Sequence, residues 1–254
     1  AFASALEAAE GCRAAFIFVI NADQAEKVLF GDGGVVAALP EGAIVVNCVT
    51  VPPAYAEDAA ARVIAAGLGY LDAPVSGGQA GAAAGAMTIM GAGAPESFDA
   101  LADCFEAISK KVYRMSGNPG DGSRMKMINQ LLAGVHIVSA CEALTLGIRS
   151  GLDPQEIFDI ICNSAGSSWM WGDRMPHVLA NDYTPKSAVD IFVKDLGIVL
   201  EAGKALNFPL PVAEAAHKMF MVASGAGLGA EDDSAVAKIY AARSGTELPK
   251  GEGG

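Results

Sequence analysis

Up to about residue 118 the chain alternates short, unbroken apolar runs with helical spacing; beyond it only helical spacing remains. The apolar runs are AAFIFVIN (14–21) and GAIVVNCVT (42–50); GYLDAPVSGG (69–78) reads as a third strand running into a glycine turn, AMTIMGAG (86–93) as a fourth, and KKVYRMSG (110–117) closes the series. Continuous apolar segments rich in β-branched and aromatic residues suit strands buried on both faces. Helices are predicted at 1–10, at 23–30 from an acidic cap, at 53–67 between a proline and a glycine, and at 95–109. GDGG (31–34) follows a helix and reads as a connector. This βαβα order predicts a parallel sheet covered by helices on both faces.

The later part begins with the loop NPGDG (118–122) and a long helix over 123–150, apolar on nearly every face. Such a helix is buried between domains or subunits. Further helices are expected at 154–164, 168–180, 187–206 and 209–226, with a helix start in 230–240 and a disordered tail at 246–254. Two domains follow: α/β over 1–118 and all-α over 119–254, joined by the 123–150 helix. A doubly wound nucleotide-binding sheet opens with strand, GxGxxG turn and helix, over roughly 30 residues. No such turn follows a strand here, and the chain opens inside a helix. The expectation is therefore an N-terminally truncated Rossmann-type sheet whose first βαβ unit stands outside this sequence.

Bulk chemistry narrows the partners. With 52% hydrophobic and 18% charged residues the chain has a large core. A net charge of −12 disfavours nucleic acid and anionic membrane surfaces. Five cysteines without a CxxC pair read as free thiols in a reducing compartment, with no metal site. No unbroken apolar stretch reaches the ~18 residues of a span, and no leader pattern is present, so a cytoplasmic protein without membrane contact is expected.

Four stretches carry candidate chemistry. In DAPVSGG (72–78) a strand ends at Ser76, Gly77 and Gly78, where bare backbone N–H groups and a hydroxyl can cradle a carboxylate; the plain alternative is an ordinary glycine loop. In GSRMKMINQ (122–130) Lys126 and Asn129 share a helical face, and Gly122 one turn earlier leaves a gap through which a ligand reaches the amine. Burial favours the neutral amine and suits an acid/base catalyst; the alternative is a snorkelling lysine. In FVKDLGIVL (192–200) Lys194 and Asp195 are either a structural ion pair or a ligand-binding lysine held by its carboxylate. NSAGSSWMWGDRMPH (163–177) is either a pocket lining or a set of core aromatics, and His136 reads as a core histidine. Thr50, before Val51-Pro52-Pro53, ends a strand at the sheet edge and is a further contact candidate.

In this order and separation, DAPVSGG, GSRMKMINQ and VKDLG resemble the motifs of the β-hydroxyacid dehydrogenase family, and the resemblance covers essentially the whole chain. It implies oxidation of a small hydroxy acid with NAD, or NADP, as cofactor. It implies Lys126 as acid/base, Ser76, Gly77, Gly78 and Asn129 as substrate-binding residues, and Thr50, Lys194 and Asp195 as cofactor-binding residues. The segments FVINADQAEKVLFG, KMINQLLAGVHI, GSSWMWGDRMPHVL and SAVDIFVKDLGIVL resemble the L-threonate-oxidising branch, implying 2-dehydro-L-erythronate as product. The alternatives are the 3-hydroxyisobutyrate and tartronate semialdehyde branches, or a non-catalytic scaffold that keeps the fold. Asn21 departs from the proline common in relatives. The family also implies a homodimer or homotetramer.

Overall fold

The computed structural model describes residues 2–251. They form two compact units, one ending at Met127 and the other beginning at Ile128.

The first unit is built on a mixed sheet of β1 (Ala14–Ile17), β2 (Ile44–Asn47), β3 (Gly69–Asp72), β4 (Val75–Ser76), β5 (Met87–Gly93) and β6 (Ser109–Arg114). β1, β2 and β3 run parallel; α1 (Ala5–Ala9) precedes β1, α2 (Ala22–Phe30) and the short α3 (Val35–Ala38) lead from β1 to β2, and α4 (Pro53–Ala65) leads from β2 to β3. Alternate residues face opposite ways along a strand, and the burial follows that rule. Val45 and Tyr70 pack with Leu29 of α2 and Ala56, Ala59 and Val63 of α4. Ile44, Val46, Leu71 and Ile89 pack on the other face with Phe98 of α6 (Pro95–Ala100) and Phe105 of α7 (Ala102–Ile108). Each of these side chains, fully buried, is worth about 1.5–3 kcal/mol of transfer free energy for a Val, Leu, Ile or Phe. The sheet is thus covered on both faces, as the apolar runs predict.

Five expectations are corrected in detail. The sheet is not wholly parallel, because β5 joins β3 antiparallel, pairing Leu71 with Gly93 and Asp72 with Ala92. A parallel return needs a crossover of about a dozen residues or more, usually a helix. Here β4, pairing antiparallel with β5, and the six-residue α5 (Gly78–Ala83) fill the connection instead. The third run is broken at Ala73-Pro74, where proline has no N–H for the ladder. The first strand stops at Ile17 on the sheet edge, and Phe18 is 52% exposed rather than buried on both faces. The cap of α2 is Asn21, whose Oδ1 accepts from Gln24 N at 2.9 Å, not the acidic Asp23. The 95–109 helix is divided at the buried Leu101.

The 29-residue α8 (Asp121–Arg149) belongs by its first turns to the first unit and by the rest to the second. By length and composition it could cross a membrane. In the fold its Ala133, Ile137, Val138, Cys141 and Leu144 are buried. The second unit adds α9 (Pro154–Cys162), α10 (Trp169–Ala180), α11 (Val189–Ala205), α12 (Pro211–Ala223) and α13 (Val236–Ser244). No strand occurs among its described residues beyond an isolated bridge between Ala188 and Asp232. Gly134 lets α8 approach α11: a β-carbon there would stand 3.0 Å from Leu196. A buried ion pair fastens α10 to the turn before α13, with Arg174 Nε 2.6 Å from Asp233 Oδ1. Residues 246–251 form no helix or strand; the rest of the expected disordered tail lies outside the described residues.

Candidate active site

The carboxyl ends of parallel strands gather ligand-binding residues in open α/β sheets. Ile17, Asn47 and Asp72 stand in one register row at that edge. Asn47 donates to Tyr70 Oη at 3.0 Å and accepts from Val49 N at 3.3 Å, fixing the exit of β2 toward Thr50. Thr50 is half-buried, three residues past the strand.

Beyond β3, Ser76 pairs with Thr88 across β4 and β5. Gly77 and Gly78 follow with φ of +133° and +60°. L side chains rarely adopt such angles, so this turn depends on glycine. No atom lies within 4 Å of where a β-carbon on Gly78 would stand, so the loop is open there.

Asp72 plays a part that sequence reading missed. It is fully buried and takes three hydrogen bonds from the start of α8: Gly120 N at 2.9 Å, Ser123 N at 2.8 Å and Ser123 Oγ at 2.7 Å. It therefore caps a helix N-terminus with a negative charge, which the helix dipole favours. Burial pushes its carboxyl above the ordinary value, against the pull of those donors. A charged residue closing a buried strand was the available signal. Arg124 pairs with Asp121 at 2.6 Å and with Glu57 of α4, holding the same turn.

The gap expected at Gly122 does not exist. A β-carbon there would stand 2.6 Å from the Met90 carbonyl oxygen and closer still to that of Asp72. The glycine is filled by sheet backbone, not left open to a ligand. One turn on, Lys126 is buried to 7% exposure.

In the second unit the Gly134–Leu196 contact brings Gln130, one turn earlier on α8, against Asp195 of α11. Gln130 Nε2 donates to Asp195 Oδ2 at 2.5 Å, and Gln130 Oε1 accepts from Asn129 Nδ2 at 2.9 Å. Lys194 Nζ lies 2.5 Å from Asp195 Oδ1. Asp195 is 2% exposed and uses both oxygens. Asn129, Lys194 and Asp195 are thus brought together, through a glutamine that was not singled out in the sequence. A polar residue directly after Asn129 in an apolar helix was its only trace.

The 163–177 segment divides. Trp171 is buried, stacks on Phe158 with ring centroids 6.4 Å apart, and donates through Nε1 to Phe158 O at 3.3 Å. Trp169 is 66% exposed. Ser167, Ser168 and Trp171 line a cavity of about 320 Å³ with His136 and Ser139. His136 is a half-buried wall residue there and not the core histidine expected. All five cysteines are free, and burial pushes the Cys48 and Cys141 thiols up.

Comparison with known proteins agrees with this architecture. Residues 1–117 match the model of the NAD binding domain of 6-phosphogluconate dehydrogenase, and residues 120–240 match that of the NAD-binding region of NADP-dependent 3-hydroxyisobutyrate dehydrogenase. L-threonate dehydrogenase of Cupriavidus necator is 53% identical over 97% of this chain and 82% of its own length. The Escherichia coli K12 L-threonate dehydrogenase is 49% identical over 95% of this chain and 79% of its own. The crystal structure of a 3-hydroxyisobutyrate dehydrogenase from Salmonella typhimurium superposes with a TM-score of 0.89 at 49% identity, covering 93% of this chain and 82% of that one. Sheet, helical unit, motif order and similarity over most of this chain agree: the chain belongs to the β-hydroxyacid dehydrogenase family and is an NAD(P)-dependent hydroxyacid dehydrogenase.

Proposed function

We propose that this dehydrogenase oxidises L-threonate to 2-dehydro-L-erythronate. The observation that carries the substrate is the similarity, at about half of all positions, to two proteins named L-threonate dehydrogenase. The Salmonella structure, at 49% identity, carries the name of 3-hydroxyisobutyrate dehydrogenase. Chemistry favours the first substrate. Threonate offers several hydroxyls, whereas 3-hydroxyisobutyrate offers one hydroxyl and a methyl. The fixed amide of Asn129 is a polar partner that suits a polyhydroxy acid.

Bound NAD, or NADP, supplies the hydride acceptor. Lys126 takes the proton of the reacting hydroxyl and returns it to the carbonyl in the reverse direction. Ser76 and the open N–H groups of Gly77 and Gly78 bind the substrate carboxylate, and Asn129 binds a substrate hydroxyl. Lys194 contacts the cofactor near its nicotinamide end with Asp195 holding the amine, and Thr50 contacts it from the sheet edge. The donor set fits such a cofactor: a lysine fixed by a buried carboxylate, and a residue at a strand's carboxyl end. The helical unit exposes Leu132, Leu146, Ile160 and Trp169, which supports assembly as a homodimer or homotetramer. Free thiols support a reducing, cytoplasmic setting. Initial rates of NADH formation on L-threonate, erythronate, 3-hydroxyisobutyrate and glycerate test the substrate: kcat/KM should be highest for L-threonate, and a higher value on any other acid overturns it.

A further inference from the structure

We propose that Gln130 is a positioning residue that fixes the polarity of the Asn129 amide, so that Asn129 offers the substrate a hydrogen-bond acceptor. This rests on the placement of Asn129 against substrate proposed above. The argument starts at Asp195. An ionised carboxylate only accepts hydrogen bonds. Its Oδ1 faces Lys194 and its Oδ2 faces the Gln130 amide at 2.5 Å, so Gln130 must present its NH2 group there. The opposite face of the same planar amide is then an oxygen. That oxygen faces Asn129, which must present its own NH2 group, as the 2.9 Å contact records. Asn129 therefore carries its carbonyl oxygen on the side away from Gln130. The charge on Asp195 decides an orientation two side chains away, and burial of Gln130 to 7% exposure keeps water from breaking the order.

The consequence is selectivity. An acceptor oxygen takes a substrate hydroxyl and repels a carboxylate, so the oxygen side of Asn129 is assigned to a hydroxyl of the acid. A polar group built to meet a hydroxyl is left unpaired by an analogue without it, which penalises that analogue.

The test compares L-threonate with its 3-deoxy and 4-deoxy analogues, in wild type, Q130M and Q130E. Methionine keeps the volume of glutamine and removes both hydrogen bonds. Glutamate still faces Asn129 with an acceptor oxygen, so it keeps the polarity. Wild type should prefer L-threonate over at least one deoxy analogue. In Q130M that preference should fall about tenfold or more, through a raised KM for L-threonate. In Q130E it should persist. Melting temperature should fall in both, because each removes the amide donor to the buried Asp195 Oδ2, while NADH binding, read by fluorescence at a temperature where both are folded, stays near wild type. If Q130M does not fold, Q130A, which cannot overpack, replaces it. A preference unchanged in Q130M, or lost equally in Q130M and Q130E, overturns the relay. A wild type that ignores every hydroxy acid instead overturns the substrate assignment, which is a separate result.

Discussion

Replacing Gly122 by alanine separates two accounts of the start of α8. If the glycine were a passage for ligand, a methyl group would obstruct substrate and raise KM while leaving the fold alone. The structure gives it another task. The added carbon would lie 2.6 Å from Met90 O and nearer to Asp72 O, and both are backbone atoms that no rotamer change can move. Restoring ordinary carbon–oxygen contact requires the first turn of α8 to withdraw by about 1 Å. Overpacking of this kind costs about 1–3 kcal/mol. The same movement stretches the bonds from Gly120 N and Ser123 N to Asp72, now at 2.9 and 2.8 Å, beyond useful length. Hydrogen bonds to a charged group contribute about 1.5–3 kcal/mol each, and the alanine's better helix propensity returns at most about 1 kcal/mol. Together these terms come to a net loss of about 3–8 kcal/mol, equivalent to a fall of at least about 6 °C in melting temperature for a chain this long. Lys126, one turn along, moves with the helix, and a misplacement of about 1 Å costs about 100-fold in turnover. The assays are thermal unfolding by circular dichroism and steady-state NADH formation. A melting temperature within 1 or 2 °C (roughly the error of one measurement) together with a change in KM alone would refute the packing account.

Two further outcomes follow from single side chains. Lys126→Ala should lower kcat by about 100- to 10,000-fold with thermal unfolding nearly unchanged, and turnover near wild type would remove Lys126 from the acid/base role. Arg174→Met strands the buried Asp233, at a cost of about 3–5 kcal/mol at pH 8. Burial pushes Asp233 up to about 7 even against the Arg174 charge, well above its ordinary value, so the folded state binds the proton and stability is lost as pH rises through about 7. The melting-temperature loss of the variant should be smaller at pH 6 than at pH 8; an equal or larger loss at pH 6 would contradict this.

The apolar runs around β2 and β3 and the helical spacing after residue 118 made the layered unit and the helical unit legible, because burial on two faces leaves a simple periodic trace. Lys194-Asp195 was equally visible, since charges within a buried helical face demand a partner. What stayed hidden depends on contacts between distant positions. The antiparallel entry of β5 is set by how the chain returns after Pro74, not by the residues of β5 itself. Asp72 meets Ser123 across 51 positions and Gln130 meets Asp195 across 65, and neither pair has a local signature. Gly122 was legible as a place for close approach, but what approaches it, backbone or ligand, was decided only by the fold.

The most direct measurement is a pair of kcat/KM values for the purified protein with NAD, one on L-threonate and one on 3-hydroxyisobutyrate. A value on L-threonate at least tenfold the higher is expected from the polar partner at Asn129 and from the named relatives. Equal values, or preference for the methyl-bearing acid, would contradict the substrate proposed here.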